Sequence, residues 1–257
     1  MQSTIAKNRD DNYEQRIKAA IAQLEQQHDT YLTKDGLANL SPKFLTILNN
    51  IESQSGLHLV YSQFRTLEGI GIFKLVLEAN GFAQFKIVKS KVGTWSIVQN
   101  EEDAMKPKFI LYTGTESTEE KEIVRNIFNS QWGAVPKTIT AQLQKISPNN
   151  YHGEIAKVFM ITAAGAEGIS LRNVRYVHIM EPYWHPVRIE QVIGRARRIC
   201  SHNDLPEDER KIEVFLYLMR FTEQQIAELV SSELKIKDVS KLDDKTPITS
   251  DLSLIHI

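Results

Sequence analysis

The chain has a single cysteine, Cys200, among its 257 residues. One thiol excludes an internal disulfide and a zinc site of several cysteines, and it favours a reducing intracellular compartment such as cytoplasm, nucleus or virion core. No apolar run approaches the roughly 18 residues of a membrane span, so we expect no membrane partner. The polar amino terminus does not resemble a signal sequence.

Two nucleotide-binding loops are also missing. The chain contains no G-K-[ST] phosphate loop, and its first predicted strand leads into no G-x-G-x-x-G turn, which argues against a Rossmann-type enzyme. Charge is balanced, with 31 Lys and Arg against 32 Asp and Glu. Any contact with nucleic acid must therefore come from a local patch and not from a basic protein overall.

The most informative pattern that is present is Q-x-x-G-R-x-x-R, over residues 191–198. Read as a helix at 100° per residue, it places Gln191, Arg195 and Arg198 within about 60° of one another. The apolar residues on the opposite side are Ile189, Ile193 and Ala196. Two guanidinium groups projecting in one direction suit phosphate oxygens. A basic amphipathic helix without a ligand has the same pattern, so the neighbouring sequence must decide.

Short apolar runs alternate with helical patterns, which predicts an α/β fold with a mainly parallel sheet covered on both faces. The predicted strands are 57–62, 83–88, 109–113, 157–162, 175–180 and 211–219. The predicted helices are 10–32, 42–55, 66–79, 117–129 and the helix that carries the arginines. Because ligands of such sheets gather at the carboxyl ends of strands, we expect the functional residues to lie just after strands.

Three regions are expected along the chain. Residues 1–40 form a helical extension or a bridge between lobes, and their apolar face is expected to pack against something outside this chain. Residues 41–235 form the main domain, with an irregular insertion near 130–153. Residues 236–257 form a tail that we expect to be truncated.

One strand is followed directly by small residues. After the predicted strand 157–162 the chain reads Ala-Ala-Gly-Ala-Glu-Gly-Ile-Ser-Leu. Gly165 and Gly168 would let backbone amides approach phosphate or ribose oxygens closely. A tight turn after a strand requires the same residue types, so this loop is weak evidence by itself.

Taken in order, four segments resemble motifs IV, IVa, V and VI of the second RecA-like lobe of superfamily 2 helicases and translocases. They are residues 61–64, 112–114, 162–171 and 191–198. The pair Phe128-Asn129 and residues 183–186 resemble the Swi/Snf-type branch. Residues 175–184 and 200–206 resemble more narrowly the ATPases of large DNA viruses, of the poxvirus nucleoside triphosphatase I and early transcription factor type.

The resemblance implies a role for each matching residue. Arg198 corresponds to the arginine finger and Arg195 to a second arginine on the γ-phosphate, so both are candidate catalytic residues. The candidate nucleotide-binding residues are Gly165, Glu167, Gly168, Gln191 and Gly194. The candidate nucleic-acid contacts are Ser62, Gln63, Thr113 and Thr162. No metal ligand is expected in this chain, because the family holds ATP and Mg²⁺ mainly on the first lobe.

The implied function is that of the C-terminal lobe of an ATP-dependent helicase or translocase in viral-type transcription or remodelling. Its implied partners are a DNA or RNA backbone, an N-terminal RecA-like lobe of the same protein and transcription machinery. Without a phosphate loop, the chain alone is expected to be inactive. Strand separation and translocation on a duplex stay open as alternatives, as does a non-catalytic module that binds nucleic acid or a transcription partner.

Two charged or titratable features receive plainer interpretations. His178 alternates with apolar residues in a predicted strand, so we predict a hydrogen-bonded core histidine and not a ligand. The acidic residues 116–122 are predicted to form the solvated first turn of a helix, where acidic side chains favour the helix dipole.

Overall fold

A single six-stranded sheet organises the computed structural model, which describes residues 15–66, 69–98, 100–163, 165, 168–183 and 186–218. The strand order is β2-β5-β6-β1-β7-β8, and every neighbouring pair is parallel. The strands are β1 (Leu57–Ser62), β2 (Ala83–Gln84), β5 (Lys108–Tyr112), β6 (Val158–Thr162), β7 (Val174–Ile179) and β8 (Glu213–Leu216). The predicted mainly parallel α/β sheet is therefore confirmed.

Helices cover both faces of this sheet. They are α1 (15–26), α2 (His28–Tyr31), α3 (Lys34–Leu40), α4 (Pro42–Ser53), α5 (Ile70–Ala79), α6 (Thr118–Phe128), α7 (Lys137–Leu143) and α8 (Pro186–Ala196). One core lies between the sheet and α6, α7 and α8, and the other lies between the sheet and α3, α4 and α5. The fold is thus the expected three-layer arrangement. No helix in the described part of the chain is long and apolar enough to cross a bilayer.

Three local predictions differ from the structure. The predicted strand 83–88 is divided, because β3 (Ile87–Lys89) leaves the sheet and pairs antiparallel with β4 (Trp95–Ile97). That hairpin is anchored by Trp95, which is buried and donates from Nε1 to Glu119 at 2.8 Å. The predicted irregular insertion contains α7, whose Ile139 and Leu143 are buried in the core. The helix predicted from residue 66 begins at Ile70.

The amino-terminal helices pack on the domain itself. Ile21, Leu24 and Tyr31 contact the core that α4 and α5 form with the sheet. Asn80, which follows α5, donates a hydrogen bond to the carbonyl of Leu32 at 2.8 Å. The expectation that this apolar face packs against something outside the chain is therefore wrong for the described residues.

A chain of hydrogen-bonded polar side chains, three of them buried, links α4 to the strands β1 and β7 and to the residue that follows β8. Asn50 Nδ2 donates a hydrogen bond to the Tyr217 hydroxyl at 2.8 Å. That hydroxyl lies 2.7 Å from His178 Nδ1. The other ring nitrogen of His178, Nε2, lies 2.9 Å from His58 Nδ1. Burial lowers the pKa of His178 to about 3, and burial together with the neighbouring His178 lowers the pKa of His58. Burial also raises the pKa of Tyr217 to about 12. The prediction of a hydrogen-bonded core histidine at position 178 is confirmed.

Candidate functional site

Three of the predicted nucleic-acid contacts meet at the carboxyl edge of the sheet. Ser62 and Thr162 are register partners at the ends of β1 and β6, and Thr113 directly follows β5. The Ser62 hydroxyl is buried and accepts a hydrogen bond from the Phe64 amide at 3.0 Å, while Thr162 Oγ1 donates to the Thr113 carbonyl at 3.0 Å. These hydroxyls hold the loops that leave the strands. Their contact with nucleic acid stays a prediction.

The fourth candidate, Gln63, is fixed through its main chain. Its amide donates to Glu181 Oε2 at 3.1 Å, which connects the end of β1 to the segment after β7. Beyond that segment, the Arg188 guanidinium lies over the Tyr183 ring, 4.5 Å from its centroid. The central strands of the sheet therefore present their carboxyl ends as one connected surface.

A glutamate that sequence reasoning treated as solvated belongs to the same edge. Glu116 accepts hydrogen bonds from the amides of Thr113 and Gly114, both at 3.0 Å, and from the Thr113 hydroxyl at 2.9 Å. Burial alone would raise the pKa of Glu116, but these donors outweigh it and the pKa is lowered. The signal available in the sequence was its position two residues after a Thr-Gly turn, where an acidic side chain can bond back to the backbone.

Two positions of the loop after β6 require glycine for different structural reasons. A Cβ at Gly165 would overlap the carbonyl oxygen of Tyr112, so the loop passes directly against β5. Gly168 has a φ of +72°, in the left-handed region that favours glycine. Glu167, the other candidate of this loop, lies outside the described residues.

The helix that carries the arginines is shorter than the pattern predicts. Helix α8 ends at Ala196, so Arg198 lies in the following turn and its direction does not follow from helical spacing. Arg198 Nη2 instead donates to the Ile169 carbonyl at 3.2 Å. The predicted apolar side of the helix is confirmed, because Ile189 and Ile193 pack against the core and Ala196 is fully buried.

The nucleotide-side candidates of α8 differ in exposure. Gln191 and Gly194 are exposed on the helix. Arg195 is half-buried, and its Nε–H is buried without a hydrogen-bond partner in the described part of the molecule. Charged side chains are seldom buried without a partner, so this guanidinium is suited to an anionic ligand.

The arginines do not lie at the carboxyl edge, contrary to the expectation for the functional residues. Helix α8 starts beyond the end of β7 and returns about 16 Å towards its beginning. In its last turn, the Arg195 carbonyl accepts a hydrogen bond from the Leu171 amide at 3.0 Å. Beyond the helix, the Ser201 carbonyl accepts one from the Asn173 amide at 2.9 Å. Residues 171–173 therefore lie beside the end of α8 and not at the carboxyl edge, and the two candidate surfaces are separate.

Gly165 and Gly194 give a matched test of packing. We expect Gly165→Ala to lower the free energy of unfolding by roughly 1–3 kcal/mol, because the added Cβ overlaps the backbone of Tyr112. Gly194→Ala should stabilise the chain by about 0.5–1 kcal/mol, since no atom lies within 4 Å of its added Cβ and alanine favours the helix. Urea denaturation measures both, and equal effects at the two positions would contradict this structure of the loop.

No group of three or more potential ligands that could hold a metal ion occurs among the described His, Cys, Asp and Glu residues. Cys200 is exposed. Besides the carboxylates of Glu116 and Glu181, the polar groups at the two surfaces include amides, hydroxyls and guanidinium groups, which can bind phosphate oxygens.

A parallel sheet whose strand ends carry fixed loops, with an arginine-bearing helix packed beside it, is the arrangement expected of a RecA-like lobe. Residues 93–200 match the family model described as the helicase conserved C-terminal domain. Residues 93–200 are therefore similar to a helicase C-terminal domain, as the resemblance of the motifs predicted.

Two viral relatives illustrate the similarity. "Putative ATP-dependent RNA helicase R350" of Acanthamoeba polyphaga mimivirus is 33% identical over 179 residues, which are 70% of this chain and 18% of that protein. A "Termination factor NPH-I homolog" of African swine fever virus is 29% identical over 226 residues, covering 80% of this chain and 28% of that protein. The matched part of the chain thus covers only 18% and 28% of the length of these two relatives.

The chain is also similar to a solved structure, the C-terminal part of the Fun30 ATPase domain. The TM-score is 0.43 at 16% identity, and the match covers 83% of this chain and 51% of that structure.

Proposed function

We propose that this domain is the C-terminal lobe of an ATP-dependent helicase or translocase and that Arg195 and Arg198 act on the nucleotide. The observation that carries the proposal is the half-buried guanidinium of Arg195, whose Nε–H has no partner in the described part of the chain. Arg198 lies close by, because both residues are bonded to the segment 169–171. A pair of guanidinium groups on one surface is suited to the oxygens of a transferred phosphoryl group.

The residues present suit the triphosphate group of a nucleotide, but they do not form a complete nucleotide-binding site by themselves. Arg195, Arg198 and Gln191 could donate hydrogen bonds to phosphate oxygens, and Gly194 leaves room for their close approach. ATP with Mg²⁺ would supply the transferable phosphoryl group, held mainly by an N-terminal RecA-like lobe of the same protein. The arginines would stabilise negative charge on that group when the two lobes close, which is electrostatic and not covalent catalysis.

The test is nucleic-acid-stimulated ATP turnover of the longer protein in which this chain is joined to a phosphate loop. Replacing either arginine by alanine should lower that turnover. Undiminished turnover in both variants would refute the role that we propose for α8 and the turn after it.

The carboxyl edge of the sheet is our proposed nucleic-acid surface. The groups around Ser62, Gln63, Thr113 and Thr162 are suited to the sugar-phosphate backbone, which carries no sequence information.

We therefore expect DNA and RNA strands of unrelated sequence but equal length to bind the longer protein with equal affinity. The logarithm of the binding constant should fall linearly with the logarithm of salt concentration. Strong preference for one sequence, measured by fluorescence anisotropy, would contradict a backbone grip.

The biological setting is proposed from the relatives. One relative is named as a termination factor homologue and another as an RNA helicase. We propose a role in viral-type transcription or remodelling, with transcription machinery as a partner, in a reducing intracellular compartment. Strand-displacement and triplex-displacement assays would separate an unwinding helicase from a translocase on duplex nucleic acid.

A second candidate function is a non-catalytic module that binds nucleic acid or a transcription partner. One observation favours it, namely that the 257 residues contain no G-K-[ST] loop. A phosphate loop found in the same reading frame would favour the enzyme. Binding of nucleic acid without ATP turnover by the complete protein would favour the module.

A further inference from the structure

Asn129 follows helix α6 and holds a segment that lies far from it in sequence. Its Nδ2 donates to the Ser170 carbonyl at 2.9 Å, and its Oδ1 accepts from the Arg172 amide at 2.9 Å. The side chain is only 5% exposed. An asparagine amide offers both a donor and an acceptor, so it can hold a carbonyl and an amide of one extended strand together.

The same segment holds the end of α8 from its other side. The Leu171 amide donates to the Arg195 carbonyl at 3.0 Å, and the Ile169 carbonyl accepts from Arg198 Nη2 at 3.2 Å. Ser170 and Arg172 therefore bond to Asn129, while Ile169 and Leu171, which alternate with them, bond to the two arginines. This alternation is that of an extended strand between two partners.

We propose that Asn129 is a positioning residue for the arginines. Its side chain binds the Ser170 carbonyl and the Arg172 amide, and in this way it sets the position of the Ile169 carbonyl and the Leu171 amide. These groups in turn orient the Arg198 guanidinium and the end of α8. The inference rests on the proposed function for its effect on turnover, but its structural step is testable without any activity.

Asn150 provides a matched control in the same domain. It is fully buried, donates from Nδ2 to the carbonyls of Phe128 and Ala156, and accepts from the amides of Ile155 and Ala156. It makes no hydrogen bond to residues 169–172 or to α8 in the described part of the chain. Changing either asparagine to aspartate keeps the acceptor, removes the donor and buries a carboxylate.

The activity experiment compares Asn129→Asp and Asn150→Asp in the longer protein, below the melting temperature of both. Both variants should melt earlier, but only Asn129→Asp should lower kcat, by about tenfold, with KM for ATP little changed. An equal loss of kcat in Asn150→Asp would overturn the inference, because the effect would then be general destabilisation.

The structural experiment measures amide hydrogen exchange in the 257-residue chain. In Asn129→Ala, which buries no charge, exchange at Leu171 should become at least tenfold faster, while Asn150→Ala should leave it unchanged. Unchanged exchange at Leu171 in Asn129→Ala would overturn the inference. Absence of ATP turnover in the unsubstituted longer protein would instead refute the proposed function.

Discussion

Replacing Arg198 by alanine should lower the ATP turnover of the longer protein about 10³-fold or more, by analogy with other arginine fingers. The guanidinium is expected to stabilise charge that develops only in the transition state, so kcat should fall far more than affinity for ATP. Folding should be little affected, because Arg198 is exposed and its side chain makes one hydrogen bond to the described residues, at the Ile169 carbonyl. Steady-state turnover with saturating nucleic acid measures the effect.

Arg197 is the natural control for this experiment. It is exposed, carries the same charge and precedes Arg198 directly, and no hydrogen bond or ion pair of its side chain occurs with the described residues. Arg197→Ala should therefore leave turnover nearly unchanged. If Arg197→Ala and Arg198→Ala reduced turnover equally, the effect would be one of overall charge, and the assignment of Arg198 as a finger would fail.

Lowering the pH from 6.5 to 5 should destabilise the chain by about 1.5 kcal/mol through His178, and further in the same direction through His58. The pKa of both histidines is lowered in the folded chain, to about 3 for His178, against an ordinary value of 6.5. The unfolded chain therefore binds more protons in this range, so stability rises with pH. The contribution is complete above about pH 6.5 and is lost as the pH falls towards the folded pKa values.

Urea denaturation at pH 7.5, 6.5 and 5 measures this slope. His178→Phe should be less stable at pH 7.5, because Tyr217 and His58 lose a hydrogen-bond partner, yet its stability should depend less on pH. Substitution of the exposed His28 is the control for the removal of a surface histidine. An equal slope in His178→Phe and the unsubstituted chain would show that other groups cause the acid sensitivity.

Local patterns predicted most of the fold. The strand β1 is buried along its whole length, as a continuous apolar run in a parallel sheet should be. The helix predicted from the capping-box spacing at residue 117 begins at Thr118, and the Ser117 hydroxyl accepts from the Glu120 amide at 3.1 Å. Both depend on interactions within a few residues, which a sequence records directly.

Patterns that depend on distant partners were less predictable. The strand predicted over 83–88 divides because β3 pairs with β4 and is anchored by Glu119 of α6. Neither β4 nor Glu119 can be recognised as a partner of β3 from spacing in the sequence alone. Glu116 is a different case, because it was predicted to be solvated although its partners, the Gly114 and Thr113 amides, lie only two and three residues away.

The candidate site divides in the same way. The sequence by itself determined which residues resemble the helicase motifs, and it determined that Ser62, Thr113 and Thr162 lie at the carboxyl ends of strands. Only the tertiary structure decided that α8 ends before Arg198, that this guanidinium is held by Ile169, and that the arginines lie away from the carboxyl edge. The physical reason is that side-chain direction beyond a helix end is set by backbone groups of another segment, here residues 169–172, which Asn129 holds.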